Sequence, residues 1–376
     1  MNWIRDNIVK IAVILVVLII VIVVVSIISK RPSSGNDVET ASGYQELENK
    51  IQNAAVNFIN DNDKFLPETV DESTTIKIDT LIKNKYLGEI YAIDDSSYKC
   101  SGHVNVYRTS NYNDDYKVYP FLDCGRYYKT ITLVDYILEN EEIVTKDDGL
   151  YKLGDTYRYK GDYPNNYISL GGAEYRIISI DSNNVIKLIK TTATKSKYIW
   201  DDRYNSVEQK YVGITNYDKS RMKDNLNYIL SNDDEEAGEV FFTDEEKSYF
   251  VFYDFCNGNF PPEYDEINLA TECSSKVNQK IGFINPSDYY LASTDAGCNQ
   301  MNKDECNNYN YMAEFDNIVL MNLTTRNTYQ YLYLEGGMMY RNDANRGKRL
   351  YIAAHIGSDN IYVSGTGTQS DPYIIR

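Results

Sequence analysis

The sequence predicts an α+β protein hung on one N-terminal transmembrane helix, with a small helix-plus-antiparallel-sheet domain and then a larger β-rich mixed domain. Three observations carry that prediction. Residues 11–29 contain no charge; residues 42–58 repeat apolar side chains at helical spacing; and beyond them β-branched and aromatic residues alternate in short runs between turn formers.

Residues 11–29, as a helix rising ~1.5 Å per residue, would span about 28 Å, close to the ~30 Å apolar core of a bilayer. The run is mostly Val and Ile, modest helix formers in water, but a bilayer leaves the backbone no other way to pair its polar groups. No small-residue cleavage triplet follows it, so an uncleaved signal anchor is expected, with 1–10 cytoplasmic and 30–42 a breaker-rich linker through Pro32-Ser-Ser-Gly-Asn36. Arg5 and Lys10 before the span balance Lys30 and Arg31 after it, so the flanks do not orient it. The cysteines do. Cys100, Cys124, Cys256, Cys273, Cys298 and Cys306 all lie beyond the anchor, with no C-x-x-C and no histidine companion, the pattern of a disulfide set in an oxidising compartment. Many connectivities are open to six cysteines. The local pairs Cys100–Cys124, Cys256–Cys273 and Cys298–Cys306 are the expected ones, because each closes a short loop, and they place the bulk of the chain outside the cytosol.

A first domain is expected over 43–135. Tyr44, Leu47, Ile51, Ala54 or Ala55, and Phe58 form one stripe of a helix of about four turns, ended by Asn60-Asp-Asn-Asp63. Strands are expected at 74–78, 103–107 and 116–122, with a short helical or turning segment through Leu81, Ile82, Tyr86 and Leu87. Residues 136–160, with an acidic run at 139–142 and the turn Asp147-Asp-Gly149, are expected to be a connector. The second domain, 161–376, opens on a hairpin whose strands flank Asp181-Ser-Asn-Asn184. Met222, Leu226, Ile229 and Leu230 mark a helix face, and Thr243 with Glu246 forms a capping box. Gly282-Phe-Ile-Asn-Pro-Ser287 leads into a short helix or turn. Tyr329, Tyr331 and Tyr333 alternate into Gly336-Gly337, the clearest hairpin, and 350–353 and 360–363 supply closing strands.

An apolar helix, an amphipathic helix and a small sheet closed by a cysteine pair resemble a type IV pilin or pseudopilin module over residues 1–135. Leu81-Ile-Lys-Asn-Lys-Tyr-Leu87 and Lys99-Cys-Ser-Gly-His-Val-Asn-Val106 are similar to pilin-like ectodomains of Gram-positive surface proteins. The apolar helix lacks the Gly-Phe-type processing site and early acidic residue of a prepilin. Leu66-Pro67-Glu68-Thr69 is similar to a sortase signal, but Val70 replaces the glycine. Over 150–376, Asn166-Tyr-Ile-Ser-Leu170, Tyr175-Arg-Ile-Ile-Ser-Ile180, Trp200-Asp201, Gly282-Phe-Ile-Asn-Pro-Ser-Asp-Tyr289 and Gly365-Thr-Gly-Thr-Gln-Ser-Asp-Pro-Tyr-Ile374 resemble an uncharacterised bacterial surface-domain family. Its members end Gly-Thr-x-x-x-Pro-Tyr-x-Ile, and the resemblance implies a fold like that of C-type lectins or formylglycine-generating enzymes.

Chemistry is harder to find. Fifty-five acidic against 38 basic side chains leave a net charge of −17, which repels phosphate backbones, so no nucleic-acid partner is expected. His103 and His355 are the only histidines and fall in different domains, which disfavours zinc and a Ser-His-Asp triad. Gly365-Thr-Gly367 reads as a turn rather than a phosphate cradle. Asp201, Asp202, Asp288 and Asp295 are carboxylates a hydrolase could use, and 233–236 with Gly238 and Glu239 could offer calcium ligands, though a solvated acidic loop is the simpler reading. The 36 tyrosines fit β-rich packing, or sugar and protein contact through exposed rings. The expectation is therefore a single-pass, extracytoplasmic bacterial surface protein, a binding or interaction module without catalytic residues, cofactor or metal. Its partners would be the membrane and a glycan or protein at the cell surface. The alternatives are a pseudopilin-like structural component and a wall-glycan hydrolase.

Overall fold

A computed structural model describes residues 34–69, 72–108, 116–231, 240–260, 268–324 and 327–376, with side chains from Gly43 onward. The expected membrane span, 11–29, lies outside the described residues; among those, no helix is long and apolar enough to cross a membrane. The chain divides into two compact units, Met1–Thr130 and Ile131–Arg376.

In the first unit, helix α1 (Ser34–Asn60) buries Tyr44, Ile51, Ala54, Ala55 and Phe58, the stripe that the sequence spacing predicts. It packs on an antiparallel sheet of order β1 (Ser73–Lys77), β2 (Ser101–Arg108) and β3 (Tyr116–Asp123). Period-two alternation turns Val104, Val106, Val118 and Leu122 inward. Pro120 is tolerated because β3 is an edge strand. A short helix, α2 (Ile78–Lys83), continues directly from β1 and buries Ile78 and Leu81. Cys100 and Cys124 stand at disulfide distance across the foot of the β2–β3 hairpin, with Cα atoms 4.4 Å apart. One polar residue interrupts the buried stripe: Glu48 on α1 accepts hydrogen bonds from the Tyr128 hydroxyl (3.0 Å) and the Thr130 hydroxyl.

The second unit begins earlier than the sequence suggests. Residues 136–160 are no connector: they comprise most of α3 (Leu133–Asn140) and the hairpin β4 (Gly149–Leu153) and β5 (Thr156–Lys160). Leu133, Val134, Ile137, Leu150 and Tyr159 are buried in the unit's core. The acidic 139–142 run disguises the segment, but Glu141 points inward and accepts the hydroxyls of Tyr159 (2.9 Å) and Tyr373.

Strands β6 (Tyr167–Leu170), β7 (Ala173–Ile180), β8 (Ile186–Lys190), β12 (Ile281–Gly282), β16 (Ala353–Ile356), β17 (Tyr362–Ser364) and β18 (Tyr373–Ile375) join the β4–β5 hairpin in a nine-stranded sheet. Its path runs β12-β16-β8-β7-β6-β18-β17, with β5 on β7 and β18 parallel to β6. A second sheet has the order β10 (Asn259–Phe260), β13 (Ile318–Thr324), β14 (Gln330–Glu335), β15 (Met338–Asp343). Every residue of β13 is buried, as a strand covered on both faces requires. The β14–β15 hairpin turns on Gly336 and Gly337 at φ +54° and +74°, which glycine adopts without strain. Strands β9 (Tyr253–Cys256) and β11 (Lys276–Gln279) form a separate antiparallel pair. Helix α4 (Arg221–Ser231) buries Met222, Leu226 and Ile229, and α5 (Asp244–Tyr249) opens on the Thr243–Glu246 capping box. Trp200 is fully buried, stacks on Tyr331 at 5.5 Å and donates its Nε1–H to the Thr215 carbonyl.

The closing strands sit a few residues later than 350–353 and 360–363. Leu350 and Ile352 are buried, but they bond Thr194 and Lys190 ahead of the regular β16 ladder. Cys256–Cys273 and Cys298–Cys306 stand at disulfide distance, with Cα separations of 4.4 and 4.6 Å. The mixed α+β class holds for both units.

Candidate functional site

A single row of side chains across four strands forms the floor of a cleft in the second unit. Arg158 on β5 pairs in register with Ser179 on β7, Ser179 with Lys187 on β8, and Lys187 with His355 on β16. Directly paired residues share one face of a sheet, so the ladder itself brings the four together. The cleft above them encloses about 640 Å³ and is also lined by Tyr253, Glu272, Ser287 and Asp288.

Two short helices supply its acidic wall. Helix α7 (Pro286–Tyr290) starts on Pro286, whose fixed φ suits a first helical position. Asp288 reaches back to accept the Asn285 N–H at 2.9 Å. The same carboxylate takes Arg158 Nη1 at 2.9 Å and Lys187 Nζ at 2.5 Å, while Lys187 also donates to Asn285 Oδ1 at 2.9 Å. Asn285 donates in turn to the Cys256 carbonyl and to Asn322, and Asn322 donates to the carbonyls of Gly258 and Glu272. The polar network is therefore continuous beneath the cleft, as buried polar groups require.

Helix α6 (Leu269–Glu272) is capped by Asn268 and ends one residue before Cys273, whose disulfide ties it to the end of β9. A Cβ at Gly258 would stand 2.2 Å from the Thr271 carbonyl oxygen, so glycine alone lets the chain pass this close to α6. Glu272 accepts the Ser287 N–H at 2.8 Å and the Ser287 hydroxyl at 2.5 Å.

Burial and charge set the titration of the walls. Burial pushes the Asp288 carboxyl up, but the charges of Lys187 and Arg158 and the Asn285 N–H outweigh it, and the group is held below the usual carboxylate range. Burial raises Glu272 to about 7; hydrogen bonds from Ser287 oppose the rise and the Asp288 charge adds to it. Burial and the charge of Lys187 lower His355 to about 3, so its imidazole is neutral at ordinary pH. His355 is 6 % exposed and lies between Phe255 (4.5 Å) and Tyr253 (4.9 Å), and its Nδ1 has no hydrogen-bond partner.

Glu272 gives a prediction with a definite sign. Its folded carboxyl keeps a proton that the unfolded chain releases near 4.5. The stability it contributes is fully present below about pH 4.5 and is lost as pH rises through about 7. Unfolding free energy measured from pH 5 to 8 should fall by an amount that Glu272→Gln removes. An unchanged slope in the variant would contradict the assignment.

The carboxylates nominated from sequence separate. Asp288 is in the cleft. Asp201 is buried elsewhere, holding Arg203 through Oδ1–Nε (3.0 Å) and Oδ2–Nη2 (2.8 Å). Asp202 faces Arg221, and Asp295 accepts the Gly297 N–H and the Asn308 amide in a loop. His103 lies in the first unit, stacked on Phe121 at 5.1 Å. Gly365 and Gly367 are turn residues with positive φ ahead of β18. The acidic stretch 233–239 lies outside the described residues. Among those described, no cluster of three or more His, Cys, Asp or Glu is placed to hold a metal ion.

The residues that sequence reading missed are Arg158, Lys187, Glu272 and Ser287. One signal was available: Lys187 interrupts the apolar Ile186-Lys-Leu-Ile189 run, as a lone cation on a core strand does when it has a buried partner. No family model, curated protein or solved structure matches the chain.

Proposed function

We propose that the chain is a single-pass, extracytoplasmic bacterial surface protein whose larger unit is a non-catalytic binding module, with the cleft over Arg158, Ser179, Lys187 and His355 as its ligand site. The observation that carries this reading is the convergence of a paired ion set and a buried, neutral imidazole on one concave surface. A glycan is the ligand class that fits. Hydroxyls both donate and accept, matching a cleft lined by Ser179, Asn183, Asn278 and a neutral His355, and the Tyr253 ring offers a face for a sugar. The apolar segment 11–29 would be the anchor, and the three cysteine pairs are consistent with an oxidising exterior.

The protein on a glycan array should give signals that Ser179→Trp, which fills the cleft, removes while leaving the circular-dichroism spectrum unchanged. Signals that persist in Ser179→Trp, or no signal at all, would reject the cleft as a glycan site.

One observation favours a wall-glycan hydrolase as a second reading. Glu272 and Asp288 have environments that push their titrations in opposite directions, as a general acid and an ionised partner require. Against it, both Asp288 oxygens are already engaged by Arg158, Lys187 and Asn285. The pseudopilin alternative draws on the helix and antiparallel sheet of the first unit, and an ectodomain that stays monomeric with the apolar helix retained would exclude it.

A further inference from the structure

The donors over the cleft floor outnumber the acceptors that engage them. Arg158 bonds Asp288 through Nη1, while its Nε and Nη2 make no hydrogen bond among the described residues. Lys187 has three N–H donors and engages two, on Asn285 and Asp288. Both side chains are close to nine-tenths buried, at 13 % and 11 % exposure, and both line the cavity. The Arg158, Lys187 and Asp288 set carries one uncompensated positive charge. Donors held in place over a partly desolvated floor are preorganised for an acceptor from a ligand, whose charge-assisted hydrogen bonds there are stronger than in bulk water.

We propose that the floor of this cleft binds the carboxylate of an acidic saccharide of the uronic-acid class, seated on Arg158 and the third donor of Lys187, with the sugar ring extending past the neutral His355 imidazole. The inference rests on the reading of the cleft as a glycan site and names its substrate class. A guanidinium edge with two open N–H groups matches the planar fork of a carboxylate. A dianionic phosphate fits less well, because the floor supplies one net positive charge. The volume of about 640 Å³ leaves room for the sugar ring and its neighbours beyond the carboxylate.

The other charged groups around the cleft constrain how binding responds to pH. On the rim, Asp181 is held by the Tyr253 hydroxyl and the N–H groups of Asn183 and Val185, and Asp254 by Lys276 at 3.7 Å and Asn278 at 3.0 Å. Both carboxylates are therefore already engaged by protein donors. His355 stays neutral in the neutral range. Glu272 is the group on the walls that changes, losing its negative charge as pH falls through about 7. A uronate keeps its own charge down to about pH 4, so its affinity should rise as pH is lowered from 8 to 6.

Calorimetric titration of the full chain in detergent with glucuronate, glucuronamide, glucose and acetate tests this without relying on any variant. Glucuronate is expected to bind at least tenfold more tightly than glucuronamide or glucose, more tightly than acetate, and several-fold more tightly at pH 6 than at pH 8. Arg158→Met should abolish the preference for glucuronate over glucuronamide. Equal binding of glucuronate and glucuronamide overturns the carboxylate assignment, and acetate matching glucuronate overturns the saccharide assignment. If no acidic probe binds while neutral glycans give array signals that Ser179→Trp removes, the uronate inference fails and the cleft reading stands. Absence of any Ser179→Trp-sensitive binding removes both.

Discussion

Asp288→Ala is expected to destabilise the 131–376 unit by about 3–5 kcal/mol, because it leaves two nearly buried cations facing each other without their shared counterion. The carboxylate is 1 % exposed and touches Arg158, Lys187 and the Asn285 N–H, so solvent cannot take its place. Urea unfolding followed by Trp200 fluorescence reads this out, since Trp200 is buried in that unit's core and stacked on Tyr331. A loss below about 1 kcal/mol would show that the ion set is not holding α7 to the sheet. Lys187→Met in the Asp288→Ala background should recover part of the loss by removing one stranded charge, the non-additivity expected of directly contacting groups. The sign with pH is opposite to that of Glu272. The folded Asp288 carboxyl titrates below its unfolded value, so its contribution is present above about pH 4 and is lost as pH falls further. Wild type should therefore be more acid-sensitive than the variant.

Removing the Cys256–Cys273 pair as a double serine variant should cost about 3 kcal/mol, the scale for a closed loop near its sequence separation of 17. The functional loss should exceed what stability alone implies. Helix α6 has four residues, and its tethers are the disulfide, the Asn268 cap, the Ser287 N–H and hydroxyl donated to the Glu272 carboxylate, and the Asn322 amide donated to the Glu272 carbonyl. Without the disulfide, Glu272 should move into solvent and its titration should shift from about 7 toward the ordinary carboxylate range. NMR titration of the Glu272 side chain checks this directly. A value that stays near 7 would mean the hydrogen bonds alone fix α6.

Features legible in the sequence were those whose cause is local. The stripe of α1, the β7–β8 and β14–β15 hairpins, the Thr243–Glu246 box and the cysteine pairs each declare themselves within about thirty residues, through periodicity, turn chemistry or loop closure. The start of the second unit was hidden because Glu139, Glu141 and Glu142 look like a solvated run; only the inward turn of Glu141 onto Tyr159 and Tyr373 reveals a core segment. The cleft was hidden for a different reason. Arg158 and His355 meet because β5, β7, β8 and β16 happen to align in register, and no local pattern encodes an alignment of strands so far apart in the chain. Sequence reading found Asp288 as a carboxylate, but could not see that Arg158, Lys187 and the Asn285 N–H engage both of its oxygens.

The position of β18 bears on how the larger unit is made. This strand, 373–375, is inserted between β6 and β17 instead of being added at an edge, and Arg376 and Ile361 exchange backbone hydrogen bonds beside the start of the unit, where Tyr362 bonds Ile131. Without residues 373–375, β6 has an open flank and β17 loses its only ladder partner among the described strands. Closure of the sheet must therefore wait for nearly the whole unit to be delivered. The unit is therefore expected to fold late and cooperatively, with no stable sheet formed from its N-terminal strands alone.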